Sequence, residues 1–180
     1  MLLLLILLGL ATLSIVRFSL KCGISPMPSS RKARKAICSL IPSPSGPVYE
    51  LGSGWGSIAF ALARLGGNRK IHAYEISPVP FFFSKGWLKI SRLKDLMIRK
   101  DDFFNVSLDQ AEGVVCYLYP GAMERLKEKF EQELRPGTFV ISNSFAVPGW
   151  KADKIVEVDD MWRSRIFFYQ RGSSDKKSNH

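Results

Sequence analysis

Cysteine and histidine are scarce in this chain of 180 residues, which holds 3 Cys and 2 His. Cys22, Cys38 and Cys116 form no CxxC pair and are odd in number, which argues against a disulfide scaffold and a cysteine zinc site. His72 and His180 leave almost no material for histidine ligation or histidine acid–base chemistry. No metal is expected. A Walker A string (GxxxxGKS or GxxxxGKT) is absent. Acids are absent from the first 49 residues, Glu50 being the first. The length fits one domain. Hydrophobic residues at 46% and charged residues at 23% exclude a disordered chain. The net charge of +10 leaves nucleic acid and an anionic membrane surface both open as partners.

Residues Met1 to Val16 carry no charge, Arg17 interrupts the run, and Lys21 ends it. A spanning helix needs roughly 20 apolar residues, and Arg17 can snorkel toward the headgroups. A cleaved signal peptide would place its basic residues before the apolar core. Here they follow it, so residues 1–20 are expected to form an uncleaved transmembrane anchor. Arg17, Lys21, Arg31, Lys32, Arg34 and Lys35 precede the first acid, and this bias keeps the following domain on the cytoplasmic or matrix side. The same cations suit anionic headgroups. Residues 21–47 read as a basic, Pro/Ser-rich linker holding a short amphipathic helix, Ser30–Leu40. Residues 48–170 form the domain, and 171–180 a disordered tail.

Within the domain, strands alternate with helices. Strands are expected at Val48–Leu51, Lys70–Glu75, Leu96–Arg99, Gly113–Tyr119, Thr138–Ser144, Ile155–Val158 and Trp162–Tyr169. Helices are expected at Ser57–Leu65, Pro78–Ser91 and Gly121–Leu134. The pattern predicts an α/β fold, a Rossmann-like doubly wound and mostly parallel seven-stranded sheet with an antiparallel edge. In such sheets ligands bind at the carboxyl ends of the strands, near the switch point. The Gly-rich turn after the first strand is therefore the leading site. It fits no dinucleotide fingerprint, because Ser57 stands where GxGxxG needs its third glycine.

The string Glu50-Leu51-Gly52-Ser53-Gly54-Trp55-Gly56 instead resembles motif I of class I S-adenosylmethionine-dependent methyltransferases. Glu75 ends the second strand, 19 residues after Gly56. A carboxylate there can accept both hydroxyl protons of a ribose. Asp101-Asp102-Phe103-Phe104 follows the third strand, the acidic-aromatic step that in this family holds adenine. Asp102 is the preferred acid because Phe103 follows it, with Asp101 as the alternative. Leu51–Gly56, Tyr74-Glu75-Ile76-Ser77-Pro78, Tyr117-Leu118-Tyr119-Pro120 and Phe145–Trp150 together are similar to a narrower group. That group is the small membrane-anchored protein-lysine methyltransferases acting on the ATP synthase c-ring protein and the adenine nucleotide translocase. Bulky Trp55 departs from many members, which carry an acid there.

The resemblance implies S-adenosyl-L-methionine as cofactor, held by Glu50, Gly52, Ser53, Gly54, Gly56, Glu75, Ile76, Asp102 and Phe103. It also implies a monomeric enzyme that methylates a lysine of a membrane-associated protein. Tyr119 and Pro120 would position the acceptor, with Tyr117 beside them, although Tyr117 and Trp150 fit core packing equally well. A lysine must be neutral to attack, and a desolvated aromatic pocket lowers its pKa. A nucleic-acid methyltransferase is the nearest alternative. Its Asn/Asp-Pro-Pro-aromatic step is replaced here by Leu118-Tyr119-Pro120-Gly121. From Glu50 onward 20 Lys+Arg face 16 acids, a weak footprint for phosphate binding. A small-molecule acceptor is disfavoured by the short Phe145–Lys154 segment, which leaves no lid. A reading of another class is a catalytically silent, membrane-tethered binding module.

Overall fold

The computed structural model describes residues 27–42, 46–67 and 69–172, together with Met1, Leu5, Gly9, residues 12–14, Val16 and Arg17. Most of the expected anchor, and residues 173–180 of the expected tail, lie outside the described residues. Among the described residues no helix is long and apolar enough to cross a membrane.

The strands are β1 (Val48–Leu51), β2 (Ile71–Tyr74), β3 (Leu96–Arg99), β4 (Gly113–Cys116), β5 (Phe139–Asn143), β6 (Lys154–Glu157) and β7 (Arg165–Gln170). The helices are α1 (Arg31–Leu40), α2 (Ser57–Ala63), α3 (Pro78–Ser91) and α4 (Pro120–Glu133). One seven-stranded sheet runs in the order β3-β2-β1-β4-β5-β7-β6. β1 pairs in parallel with β2 and β4, while β7 runs antiparallel to both β5 and β6. The order reverses between β1 and β4, so the crevice for a ligand opens at Leu51 and Cys116.

The central strands read as continuous apolar runs because both faces are covered. On one face α1, α2 and part of α3 pack over Val48, Ile71, Val115 and Ile141. On the other, α4 packs Met123, Leu126 and Phe130 against Leu51, Val114 and Val140, closed by Trp150 and Tyr169. Gly113 is required by this packing, since a Cβ there would sit 1.9 Å from Phe139 Cζ. Between β3 and β4 the regular structure among the described residues is a single 3-10 turn, Phe103–Asn105.

The expected strand Gly113–Tyr119 stops at Cys116. Its neighbour β1 ends opposite, at Leu51, and turns away at Gly52, leaving nothing on that side to pair with Tyr117. The expected linker 21–47 contributes a packed helix. Ser30 caps α1 by accepting the Ala33 amide at 3.0 Å, and Ala33 and Ile37 are fully buried. Ile37→Ala is therefore expected to cost about 2–5 kcal/mol in denaturant unfolding. An unchanged midpoint would show that α1 is not part of the cooperative unit.

Candidate active site

Three glycines shape the loop after β1. Gly52, Gly54 and Gly56 have φ of 74°, 52° and 79°, a region that L side chains rarely adopt. The amides of Gly52 and Ser53 both donate to Tyr74 O, at 3.0 and 2.9 Å, so the loop folds across the end of β2. Gly52 also lies against a wall. A Cβ there would stand 2.7 Å from Leu118 Cδ2 and 3.8 Å from Phe103 Cε1.

Glu75 ties this loop to the next connection. Its Oε2 accepts from Gly54 N at 2.6 Å, and its Oε1 from Ser77 N at 2.7 Å. The side chain is buried, and burial raises its pKa, while the amides of Ser77, Gly54 and Ile76 pull it back. Ile76 thus enters the site through its backbone.

Glu50 is the second buried acid. The N-cap of α2 is Gly56, which has no side chain to cap it, and Glu50 reaches from β1 to accept the Ala59 amide instead. Among the described residues its Oε2 has no hydrogen-bond partner. Burial pushes its pKa well above the carboxylate range, the Ala59 amide opposes this, and the charge of Glu75 adds to it. Among the described residues the buried hydroxyls of Ser53, in the glycine loop, and Ser77, two residues after Glu75, also have no hydrogen-bond partner.

Asp102 caps the 3-10 turn, its Oδ1 accepting Phe104 N at 3.0 Å. Asp101 accepts the Asp102 amide at 2.9 Å and is exposed, which leaves it a supporting position. Phe103 packs against the Leu51–Leu118 side of the core and beside Gly52. Tyr119 is half-buried at the start of α4, and its ring folds over Gly121, where a Cβ would meet it at 2.9 Å. Tyr117 packs on the opposite face of the sheet, with α1 and α2, so the two tyrosines are not neighbours on one wall. Pro120 is exposed as the first residue of α4. Trp150 belongs to the core, with Nε1 donating to Glu131 Oε1 at 3.1 Å.

Sequence reasoning missed Leu118, which reads as one more strand residue until the glycine opposite it is located. It also missed a polar cluster at the strand ends. Ser29 N donates to Ser57 Oγ at 3.2 Å, and Asn143 Nδ2 donates to Ser29 Oγ at 3.4 Å. Those residues lie far apart in sequence and share no motif.

Residues 50–154, more than half of the chain, match the ANTKMT methyltransferase domain. The chain belongs to this methyltransferase family. A protein-lysine N-methyltransferase of Saccharolobus islandicus (strain REY15A) is 32% identical over 114 residues, which is 63% of this chain and 71% of that protein. The adenine nucleotide translocase lysine N-methyltransferase of Mus musculus is 28% identical over 81% of this chain and 65% of its own length. The lysine N-methyltransferase of the ATP synthase C-subunit from Xenopus laevis is 26% identical over 84% and 67%. The chain spans about two thirds of the length of these two animal relatives. Among solved structures, an RNA methyltransferase from Salinibacter ruber in complex with S-adenosyl-L-homocysteine superposes with a TM-score of 0.72. It is 24% identical over 80% of this chain and 93% of that one, a likeness of fold.

The cofactor of this methyltransferase is S-adenosyl-L-methionine, and the residues present fit it. Two buried carboxylates, one with an unpartnered oxygen, suit a ligand that brings hydroxyl donors and positive charge. The glycine loop leaves the space that side chains would fill.

Both acids have folded-state pKa values above their ordinary ones. Their contribution to stability is present at acid pH and is lost as pH rises through the folded values. These two groups thus lower the melting temperature of the cofactor-free methyltransferase as pH rises from about 4 toward neutral, while Asp109 and Asp160, held low by their hydrogen bonds, act in the opposite direction. Glu50→Gln should flatten that slope and stabilise the neutral protein by on the order of 1 kcal/mol. Thermal melting across this range checks it, and an unaltered slope would assign the titration to other groups.

Proposed function

We propose that this methyltransferase is a protein-lysine N-methyltransferase, monomeric, acting on a membrane-associated protein and tethered to the bilayer by residues 1–20. The observation that carries the protein acceptor is the uncovered rim of the crevice. β5 passes to β6 through residues 144–153 alone, with no inserted lid. An open rim admits a side chain borne on a large partner. The names of the archaeal and animal relatives support the same reading. The apolar run at the start of the chain and the basic residues after it support the tether and a cytoplasmic or matrix-side domain.

S-adenosyl-L-methionine supplies a methyl group on a sulfonium, ready for in-line displacement. The residues hold and orient it. Glu75 Oε2 accepts Gly54 N and Oε1 accepts Ser77 N, and with the Ile76 amide also on the carboxylate it still has acceptor capacity for ribose hydroxyls without releasing the loop. Asp102 Oδ1 is engaged with Phe104 N, and the carboxylate retains capacity for the adenine amino group. Phe103 and Leu118 form an apolar wall around Gly52 and Ser53, excluding water from the donor. Glu50 and Gly56 keep the loop and α2 in register. Tyr119, at the mouth with Pro120, presents a ring face to the incoming ammonium, and desolvation there lowers its pKa so that the proton passes to water before attack. Tyr117 supports the end of β4 from the other face.

Glu75→Ala should weaken S-adenosyl-L-methionine binding about tenfold or more in calorimetry, through loss of charge-assisted hydrogen bonds. Unaltered affinity would remove Glu75 from the ribose contact. Tyr119→Ala should lower methyl transfer about 3- to 30-fold with cofactor affinity unaltered, the size of one cation–π contact. Acceptor class is read by methyl-label transfer into a membrane extract. Label that survives nuclease and is lost to protease is the expected result, and label lost to nuclease refutes a protein acceptor.

A further inference from the structure

Helix α3 is apolar on its outward side as well as on the side that packs on the core. Val79, Phe82, Phe83, Gly86, Trp87 and Ile90 recur at helical spacing on one side. That side faces out. Phe82 is 65% exposed, Phe83 56%, Trp87 49% and Ile90 72%. The inward side is carried by buried Pro80 and Ser84 with partly buried Phe81 and Leu88 against the core. Cations flank the stripe at Lys89, Arg92, Lys94 and Lys100, and no acid occurs between Glu75 and Asp95. Lys100 Nζ lies 6.0 Å from the Phe82 ring.

The placement of α3 is as specific as its composition. It starts directly after Glu75, Ile76 and Ser77, at the site end of the sheet. Trp55 of the glycine loop meets Phe83 edge-on at 5.3 Å between ring centroids. The chain that leads from the apolar amino-terminal run joins the domain at that same end. Ser29 is bonded there to Ser57, the first residue of α2, and to Asn143, the last residue of β5.

We propose that α3 lies on an anionic bilayer surface, with Phe82, Phe83, Trp87 and Ile90 at the headgroup–acyl boundary and the flanking cations against acidic headgroups. This deepens the reading of a membrane-associated enzyme and rests on it. An aromatic and aliphatic face bordered by Lys and Arg is the composition of an interfacial helix, whose affinity adds apolar burial to charge attraction. A second copy fits less well. A stable dimer buries roughly 800 Å² per partner, and one stripe of four large side chains ringed by like charges falls short of that. Docked in this way, α3 brings the cofactor loop to the lipid surface, where a lysine at the membrane boundary of another protein is within reach.

The test uses the full chain in vesicles of phosphatidylcholine and phosphatidylglycerol containing acyl-brominated lipid, with flotation and tryptophan emission both read. Emission of the floated protein should be quenched. Trp87→Phe should remove much of the quenched fraction, and Trp162→Phe, at the β6–β7 turn, should not. Vesicles of phosphatidylcholine alone should quench less. Ile90→Ser, outside the catalytic machinery, should reduce transfer to a vesicle-borne acceptor about tenfold with cofactor affinity unaltered. If the protein floats and Trp87→Phe leaves quenching unchanged, the tether stands and the docking of α3 is overturned. Quenching carried by Trp162 overturns it equally. A failure to float on any vesicle removes the membrane reading and this inference together. Concentration-dependent shielding of Trp87 without bromine quenching would assign the face to a second copy and overturn the lipid assignment.

Discussion

The site depends on one carboxylate holding two loops. Glu75 joins the amide of Gly54 after β1 to the amide of Ser77 before α3. Together with the Gly52 and Ser53 amides on Tyr74 O and the Trp55–Phe83 ring contact, this bridge sets the shape of the crevice. The bridge has an energetic cost, because the group is buried and its charged form is disfavoured there. Three backbone amides offset part of that cost, and the glycine backbone is what allows one of them to point inward.

A second acid in the same region sharpens the argument. Glu50 replaces the missing cap of α2, yet leaves one oxygen unpaired and feels the charge of Glu75. Two neighbouring buried carboxylates are a poor solution for a free protein and a good one for a protein that binds a cation carrying hydroxyl groups. Stability and affinity are therefore coupled at Glu50, where a change that eases folding removes the field that the ligand would satisfy.

Much of this is legible in the sequence, for physical reasons that differ by element. α3 is legible at its observed bounds because Pro78 starts it and Ser91 ends its periodicity. β1, β2 and β3 are legible as short apolar runs between turn residues. The loop glycines and Glu75 are legible because a backbone passing close to a ligand and a carboxylate at a strand end each demand particular residues. The end of β4 is not, since Tyr117 and Leu118 are as apolar as any strand residue and only the departure of β1 at Gly52 ends the pairing. The pocket role of Leu118 and the Ser29–Ser57–Asn143 cluster are also hidden. They arise from contacts between distant segments, and no local pattern encodes them. The packing of α1 is half visible, as an amphipathic helix whose partner the local pattern does not name.

The polarity of the sheet links these observations. All parallel strands present their carboxyl ends to the crevice, and every loop of the site leaves from that end. Ser29 is fixed at that end as well, through Ser57 and Asn143, and Ser30 adds a 2.6 Å bond to Asp160 in the β6–β7 turn. The chain could have joined α1 from the far side of the domain, which would have pointed the crevice away from whatever holds the first residues. It joins beside the glycine loop instead. The chain before Ser29 therefore enters the domain at the same end as the mouth of the site. In the proposed tethered arrangement, that entry point would place the crevice, and not only the domain, near the anchor, which adds to the gain in local concentration.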